Sequence, residues 1–216
     1  CIIAIIRDIT SRRQTIQSLL EKQMVLSEQI MSLTQPEGQA EMLDFNDLFD
    51  IDEIQKIQDA FSDATGVASI ITDASGKPIT RPSNFCYLCE HIIRKTEKGR
   101  TNCYYSDSLI GRQHTDGPVV QPCLSGALWD AGASITAGDQ HVASWLIGQV
   151  LDEDADLEKM KSYAREIGAD EQEYQKALKN VKRMPRAQFE RIADSLFLIA
   201  NQLSVKALQN IQQARE

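Results

Sequence analysis

The stretch FCYLCEHIIRK, residues 85–95, places two cysteines three positions apart and begins the part of the chain that decides its fold. The segments GRTNCYYSD (99–107), VVQPCLSGALWDAG (119–132) and ASWLIGQV (143–150) follow it. Together these segments carry four of the five cysteines. Thiols that gather in one part of a chain usually share a task, such as metal binding, a redox step or the wall of a pocket.

Composition argues against several classes of protein. The chain of 216 residues has a formal net charge of -8, whereas a nucleic-acid-binding face needs clustered positive charge. The basic group Arg94, Lys95, Lys98 and Arg100 is interpreted as a solvated helix face. No apolar run reaches the roughly 20 residues that span a bilayer, and no secretory signal is visible. We therefore expect a cytoplasmic protein with reduced cysteines that binds neither nucleic acid nor membranes.

The N-terminal segment predicts a strand followed by a long helix. Residues 1–6 are apolar and mostly β-branched, as in a buried strand. From Ile9 to Leu33, residues recur at seven-residue spacing in two registers, which is an a/d heptad pattern. The pattern predicts a parallel dimeric coiled coil over residues 9–35. An amphipathic helix packed on its own domain is the alternative.

The junction RDITSRRQ, residues 7–14, lies where the strand pattern gives way to heptads, and it resembles the end of a PAS domain. The resemblance implies that residues 1–8 are the terminal strand of a truncated PAS domain and that residues 9–35 are a signalling helix. We expect sensor modules in series within a multidomain bacterial or archaeal signalling protein.

The rest of the chain predicts an α+β sensor domain over residues 44–205, with residues 206–216 leading to an output domain. Apolar residues at threes and fours predict helices, and β-branched runs between turn residues predict five strands. We expect an antiparallel sheet with flanking helices, one of them C-terminal. The predicted strands cover residues 67–72, 77–80, 119–124, 128–136 and 141–151, and the predicted helices cover residues 47–64, 84–95, 102–113, 157–167, 171–181 and a last helix from 185.

The cysteine spacing leaves three interpretations open. Cys86 and Cys89 would share one face of a helix, and Cys103 and Cys123 could face them. Four thiolates suit zinc or an iron–sulfur cluster, although the spacing C-x2-C-x13-C-x19-C lacks the second CxxC of a zinc ribbon. The alternatives are separate buried or pocket-lining thiols, and a redox pair formed by Cys86 and Cys89.

A second group of residues predicts a ligand pocket, because small-molecule sites combine an aromatic and apolar wall with a few polar groups. Plain core packing is the alternative for each aromatic residue, and His91 is a weaker candidate. No nucleophile–base set, phosphate-binding glycine loop or HExxH motif is readable, so we do not expect an enzyme. The candidate residues are Tyr87, Tyr104, Tyr105, Trp129, Trp145, Asp107, Asp130, Ser134 and Gln149, beside Cys86, Cys103 and Cys123.

These motifs together resemble the PocR sensory domain family over most of the chain, from about Asn46 to about Leu203. The resemblance implies a PAS-like fold and a sensor of small hydrocarbon derivatives, such as propanediols, attached to histidine kinases, diguanylate cyclases or AraC-type regulators. It carries over three family cysteines but not Cys89. The matching motifs are Phe85-Cys86, Cys103, Asp107, Pro122-Cys123, Gly126 and Gly148-Gln149-Val150.

The leading interpretation is a cytoplasmic sensory module of a signal-transduction protein, for example in a two-component system. It would bind a small molecule in a pocket lined by cysteines and aromatic residues and relay the event through the flanking helices of a dimer. The alternatives are a metal or iron–sulfur redox sensor and a dimerising spacer without a ligand.

Overall fold

The computed structural model describes residues 43–124, 128–152 and 157–214. Within these residues the α+β prediction is confirmed, and the sheet has four antiparallel strands in the order β1-β4-β3-β2. The predicted terminal strand at 1–8 and the coiled coil at 9–35 lie outside them. The elements are α1 (Phe45–Leu48), α2 (Ile51–Thr65), β1 (Ala68–Thr72), a π-helix (Leu88–Ile93), α3 (Glu97–Ile110), β2 (Val119–Pro122), β3 (Trp129–Ala137), β4 (Gln140–Val150), α4 (Leu157–Glu166), α5 (Glu171–Leu178) and α6 (Arg186–Ala214).

The predicted fifth strand at residues 77–80 is wrong. Within this segment Pro78 makes one isolated bridge to Thr72 of β1, and no ladder forms. Pro78 has no backbone N–H to donate, which removes a ladder hydrogen bond. In addition, a side chain accepts the Ile71 N–H, because Thr80 Oγ1 lies 2.8 Å from this nitrogen. A side chain therefore stands where a fifth strand would have placed a carbonyl group.

Gln58 of α2 holds the segment that follows β1 against the edge of β1 through side-chain hydrogen bonds. Its side chain is fully buried, and its Nε2 donates to Ser69 O at 3.2 Å, Arg81 O at 2.8 Å and Ser83 Oγ at 2.7 Å. Its Oε1 accepts the hydroxyl of Thr80. An open sheet edge invites pairing with another chain, and this network covers it.

The larger core lies between one sheet face and α6. Alanines dominate the β3 side of this core, which lets the long helix approach closely. Trp145 of β4 is fully buried here. The buried positions of α6 recur at fours and threes, as the sequence pattern predicts for a helix that packs one face. They are Phe189, Ala193, Leu196, Ala200, Leu203 and Ala207.

The opposite sheet face carries α3, and a second apolar cluster gathers the π-helix, α3, α4 and α5. Gly132 of β3 allows the end of α3 to lie close, because a Cβ there would be 2.6 Å from Ile110 O. The predicted helix at 84–95 contains the π-helix, and the N–H of Arg94 donates to Cys89 O at 3.0 Å, five residues back. None of the helices that the structure describes combines the length and hydrophobicity needed to cross a bilayer.

A bulge interrupts the pairing of β3 with β4. Trp129 pairs with Val150 and Ala131 pairs with Ile147, so β4 has one more residue than β3 across this step. Gln149 has a φ of 59°, in the left-handed region. A bulge of this kind redirects a side chain and is common beside functional sites.

We predict that Gly148→Ala disrupts the bulge. A Cβ on Gly148 would lie 2.0 Å from Asp130 Oδ1, so the sheet would have to open. Chemical denaturation should show a loss of about 3 kcal/mol in the free energy of unfolding. Gly117→Ala is the matched control, because a Cβ there meets nothing within 4 Å, and it should change stability by less than about 0.5 kcal/mol. Equal effects of the two substitutions would contradict the assignment.

We predict that Gln58→Leu lowers the free energy of unfolding by about 2 to 3 kcal/mol, because buried acceptors and the Thr80 hydroxyl lose their partner. The same substitution at Gln175, an exposed position of α5, should change stability by less than about 0.5 kcal/mol. Denaturant titration of both variants measures the difference. A tolerated Gln58→Leu would show that the network does not hold the segment.

Candidate functional site

A small cavity of about 30 Å³ lies beneath the bulge, between β1, β4 and α3. It has room for about two water molecules. Its walls combine apolar side chains with a concentration of polar groups that is unusual for the interior of a sheet-and-helix domain. The lining residues are Ala68, Ser69, Ile70, Phe85, Arg94, Asp107, Ile110, Asp130, Leu146, Ile147, Gly148 and Gln149.

Arg94 and Asp107 form a largely buried ion pair in the cavity wall. Arg94 Nη2 lies 2.8 Å from Asp107 Oδ2, and the exposed fractions of the two side chains are 16% and 10%. The guanidinium lies 5.0 Å from the ring centre of Phe85 and 5.9 Å from that of Tyr104, within cation–π range. Arg94 Nε is buried without a hydrogen-bond partner among the described residues.

Asp130 and Gln149 form the opposite, bulged side of the cavity. Asp130 Oδ1 accepts the backbone N–H of Gln149 at 2.8 Å. The Gln149 side chain reaches away from the sheet, and its Oε1 accepts the backbone N–H of Cys86 at 2.8 Å. The bulge thus connects β3, β4 and the segment that leads into the π-helix.

Both carboxyl groups hold protons more tightly than usual. Burial raises the pKa of Asp107 to about 6, although Arg94 opposes the shift. Burial raises the pKa of Asp130 to about 7, against the effect of the Gln149 N–H, and the nearby Asp107 raises it further. Near neutral pH the cavity therefore contains one fixed cation and two carboxyl groups, of which Asp130 is close to its titration midpoint.

The four cysteines share one apolar neighbourhood. Cys89 and Cys103 are buried in the cluster between the π-helix and helices α3, α4 and α5, and Cys86 and Cys123 pack against it half-buried. The hydrogen bond between the thiols of Cys86 and Cys89 lowers the pKa of Cys86. The same hydrogen bond, together with burial, raises the pKa of Cys89. None of these four cysteines forms a disulfide in the described part of the chain.

The donor set does not fit the predicted zinc or iron–sulfur centre. Among residues 43–124, 128–152 and 157–214, no three His, Cys, Asp or Glu side chains lie close enough together to hold a metal ion. The described part of the chain therefore does not assemble Cys86, Cys89, Cys103 and Cys123 into a four-sulfur centre.

The two tryptophans lie in the larger core and do not line this cavity. Trp145 is fully buried, its Nε1 donates to Ser69 Oγ at 2.8 Å, and its ring meets that of Phe61 edge-on. The ring of Trp129 lies 4.5 Å from the guanidinium of Arg186 at the start of α6. Both residues act in packing, the alternative that the sequence left open.

The remaining candidates lie outside the cavity, except where Tyr104 contacts Arg94. Tyr87 is exposed, donates its hydroxyl to Glu173 Oε1 at 3.1 Å and lies beside the ring of His91. Tyr105 is exposed, and Ser134 is buried in β3. The structure brings Asp107, Asp130 and Gln149 together in the wall of one cavity.

Sequence reasoning missed Arg94, which it assigned to a solvated face. One indicator was available in α3. Asp107 has no basic residue three or four positions away on its own helix, with Cys103, Tyr104, Ile110 and Gly111 at those places. A carboxylate among such neighbours needs a cation from another element, because buried charges are almost always paired. Arg94 is the partner that the structure supplies.

We predict that stability falls as pH rises from about 4 to about 7. The pKa of Asp130 is about 7 in the folded protein, above its unfolded value, so folding takes up a proton within this window. Asp130→Asn keeps an acceptor for Gln149 but removes this titration. The loss of unfolding free energy between about pH 5 and pH 8 should be smaller in the variant by about 1 to 2 kcal/mol.

Denaturant titrations at both pH values measure this difference, and the exposed Asp139→Asn serves as the control that keeps the wild-type pH dependence. An unchanged pH dependence in Asp130→Asn would show that this carboxyl group is ionised throughout the range.

Comparison with known proteins identifies the family of this chain. A family model described as the sensory domain found in PocR matches residues 47–208. The regulatory protein PocR of Salmonella typhimurium is 29% identical over 161 residues, which cover 72% of this chain and 51% of that protein. The chain thus spans about half the length of this curated relative, and no solved structure matches it. The chain therefore belongs to the family of sensory domains found in PocR.

Proposed function

We propose that the domain is the ligand-binding sensor of a larger regulatory protein and that it holds a small neutral molecule with neighbouring hydroxyl groups, such as a diol, in the cavity beneath the bulge. Family membership supports the sensory role. The observation that carries the ligand class is Arg94 Nε, a buried donor in the cavity wall with no partner among the described residues.

An unpaired buried donor costs about 1 to 3 kcal/mol, which an acceptor on a ligand would recover. A hydroxyl oxygen can accept from Arg94 Nε while its hydrogen donates to the carboxyl group of Asp107 or Asp130. A second hydroxyl on the next carbon can reach the other carboxyl group. The polar groups of the wall thus match a diol.

Charge argues against the other ligand classes. An anionic ligand would meet the carboxyl groups of Asp107 and Asp130, and a cationic ligand would meet Arg94. The apolar side chains of Ile70, Ile110 and Leu146 suit a short hydrocarbon part. A cavity of about 30 Å³ is far below the roughly 300 Å³ of drug-sized sites, so the ligand has few heavy atoms and its binding moves the wall slightly.

The proposal includes a relay to the flanking helices of a cytoplasmic dimer. Asp130 is the chain neighbour of Trp129, whose ring packs under Arg186 at the first position of α6. A ligand that binds one arrangement of Asp130 more tightly shifts the population of α6 positions by that difference in affinity. The N-terminal heptads, outside the described residues, would provide the dimer contact. A kinase, a cyclase or a DNA-binding domain would supply the output, and this domain would itself be non-catalytic.

We predict that propanediol raises the melting temperature of the 216-residue chain. At a hundredfold excess over Kd, the gain of about 2.7 kcal/mol corresponds to about 5 to 10 °C. Propanol, with a single hydroxyl, should give a smaller shift, and propionate none.

The double substitution Arg94→Gln with Asp107→Asn keeps a neutral hydrogen-bonding pair and should fold, but it should lose the shift. Arg112→Gln, at an exposed position, is the control and should keep it. An equal shift in the double variant would place the diol elsewhere, and the absence of a shift with any diol would contradict the ligand class.

A further inference from the structure

We propose that Cys86 and Cys89 form a reversible thiol–disulfide site that reacts with small-molecule disulfides of the glutathione type. The proposal stands on the backbone and side-chain geometry of the pair and does not depend on the identity of the diol-binding cavity.

The backbone places the two thiols at disulfide distance. The N–H of Cys89 donates to Cys86 O at 3.1 Å, which closes a four-residue turn. The end Cα atoms of such a turn are less than about 7 Å apart, and disulfides join Cα atoms about 4.4 to 6.8 Å apart. The backbone turn thus brings the two cysteines within the range that a disulfide spans.

The two thiols differ in access, which assigns an order of reaction. Cys86 is half-buried, whereas Cys89 is only 7% exposed. An external disulfide can therefore reach Cys86, and Cys89 is placed to react from the inside. The hydrogen bond that lowers the pKa of Cys86 also favours its reactive thiolate form.

The exchange balances without a further reactant. The Cys86 thiolate attacks one sulfur of oxidised glutathione, breaks its S–S bond and releases one glutathione thiolate, which takes up the proton that Cys86 lost. Cys89 then loses its proton and attacks Cys86 Sγ, which releases the second glutathione as a thiol. Two protein thiols are oxidised to one disulfide, and one glutathione disulfide is reduced to two thiols.

The position of the pair gives the disulfide a consequence for the cavity. The N–H of Cys86 donates to Gln149 Oε1, and Cys89 O accepts the N–H of Arg94. Each member of the pair is thus bonded through its backbone to a residue of the cavity wall. A change of diol affinity on oxidation rests on the proposed function, whereas disulfide formation does not.

The test is peptide mass spectrometry of the 216-residue chain after equilibration with glutathione at graded ratios of thiol to disulfide, acid quenching and alkylation. No Lys or Arg separates the two cysteines, so trypsin leaves both in one peptide. The expected product is that peptide with an internal disulfide, reversed by excess glutathione. Cys89→Ser should stop at a mixed disulfide of Cys86 with one glutathione, and Cys103→Ser should form the internal disulfide as the wild type does.

A wild-type chain that stays reduced, or that keeps glutathione on Cys86 without closing the internal disulfide, would overturn the proposal. A propanediol thermal shift on the reduced and oxidised forms separates it from the proposed function. If the disulfide forms but propanediol does not raise the melting temperature of either form, the proposed function is wrong and the thiol site is supported. If propanediol raises the melting temperature but no disulfide forms, the proposed function is supported and the thiol site is wrong.

Discussion

The extra residue in β4 is the constraint on which the candidate site depends. It places Gln149 in a left-handed conformation, and it brings Gly148 so close to Asp130 that no side chain fits between them. A regular ladder would send alternate side chains to the two faces of the sheet. The bulge instead lets Asp130 hold the Gln149 backbone while the Gln149 side chain reaches the segment before the π-helix. The cavity exists because the sheet is irregular at this point.

The buried charges give the cavity its chemical character. A paired guanidinium and carboxylate beneath a sheet contribute little net stability, because desolvation offsets most of their attraction. We therefore propose that the pair serves ligand recognition. Arg94 fits this view, because one of its nitrogens serves Asp107 while another lacks a protein partner within the described residues. The adjoining thiol pair is bonded to the same wall, so that ligand binding and thiol oxidation would act on one set of backbone contacts.

The sequence predicted those strands and helices that are determined by local residue patterns. Alternating and β-branched runs identified four strands and their hairpin, and apolar spacing identified the helix that covers the sheet. The fifth strand failed because Pro78 has no N–H to donate and because the Thr80 hydroxyl, instead of a backbone carbonyl group, accepts the Ile71 N–H. Arg94 was missed because it stands in a group of basic residues that is typical of a solvated face, whereas its partner Asp107 lies on another helix. The cysteines lie in or against one apolar cluster, but cysteine spacing in the sequence does not fix where the sulfurs point.

The most direct measurement is a titration of propanediol into the isotope-labelled chain, followed by the NMR signal of the Arg94 Nε–H group. We expect this signal to be protected from solvent and to shift progressively with added diol, and we expect the same of the backbone amide of Gln149. The Nε–H signal of the exposed Arg112 should stay fixed. A titration that moves signals far from the bulge and leaves those of Arg94 and Gln149 unchanged would contradict the account.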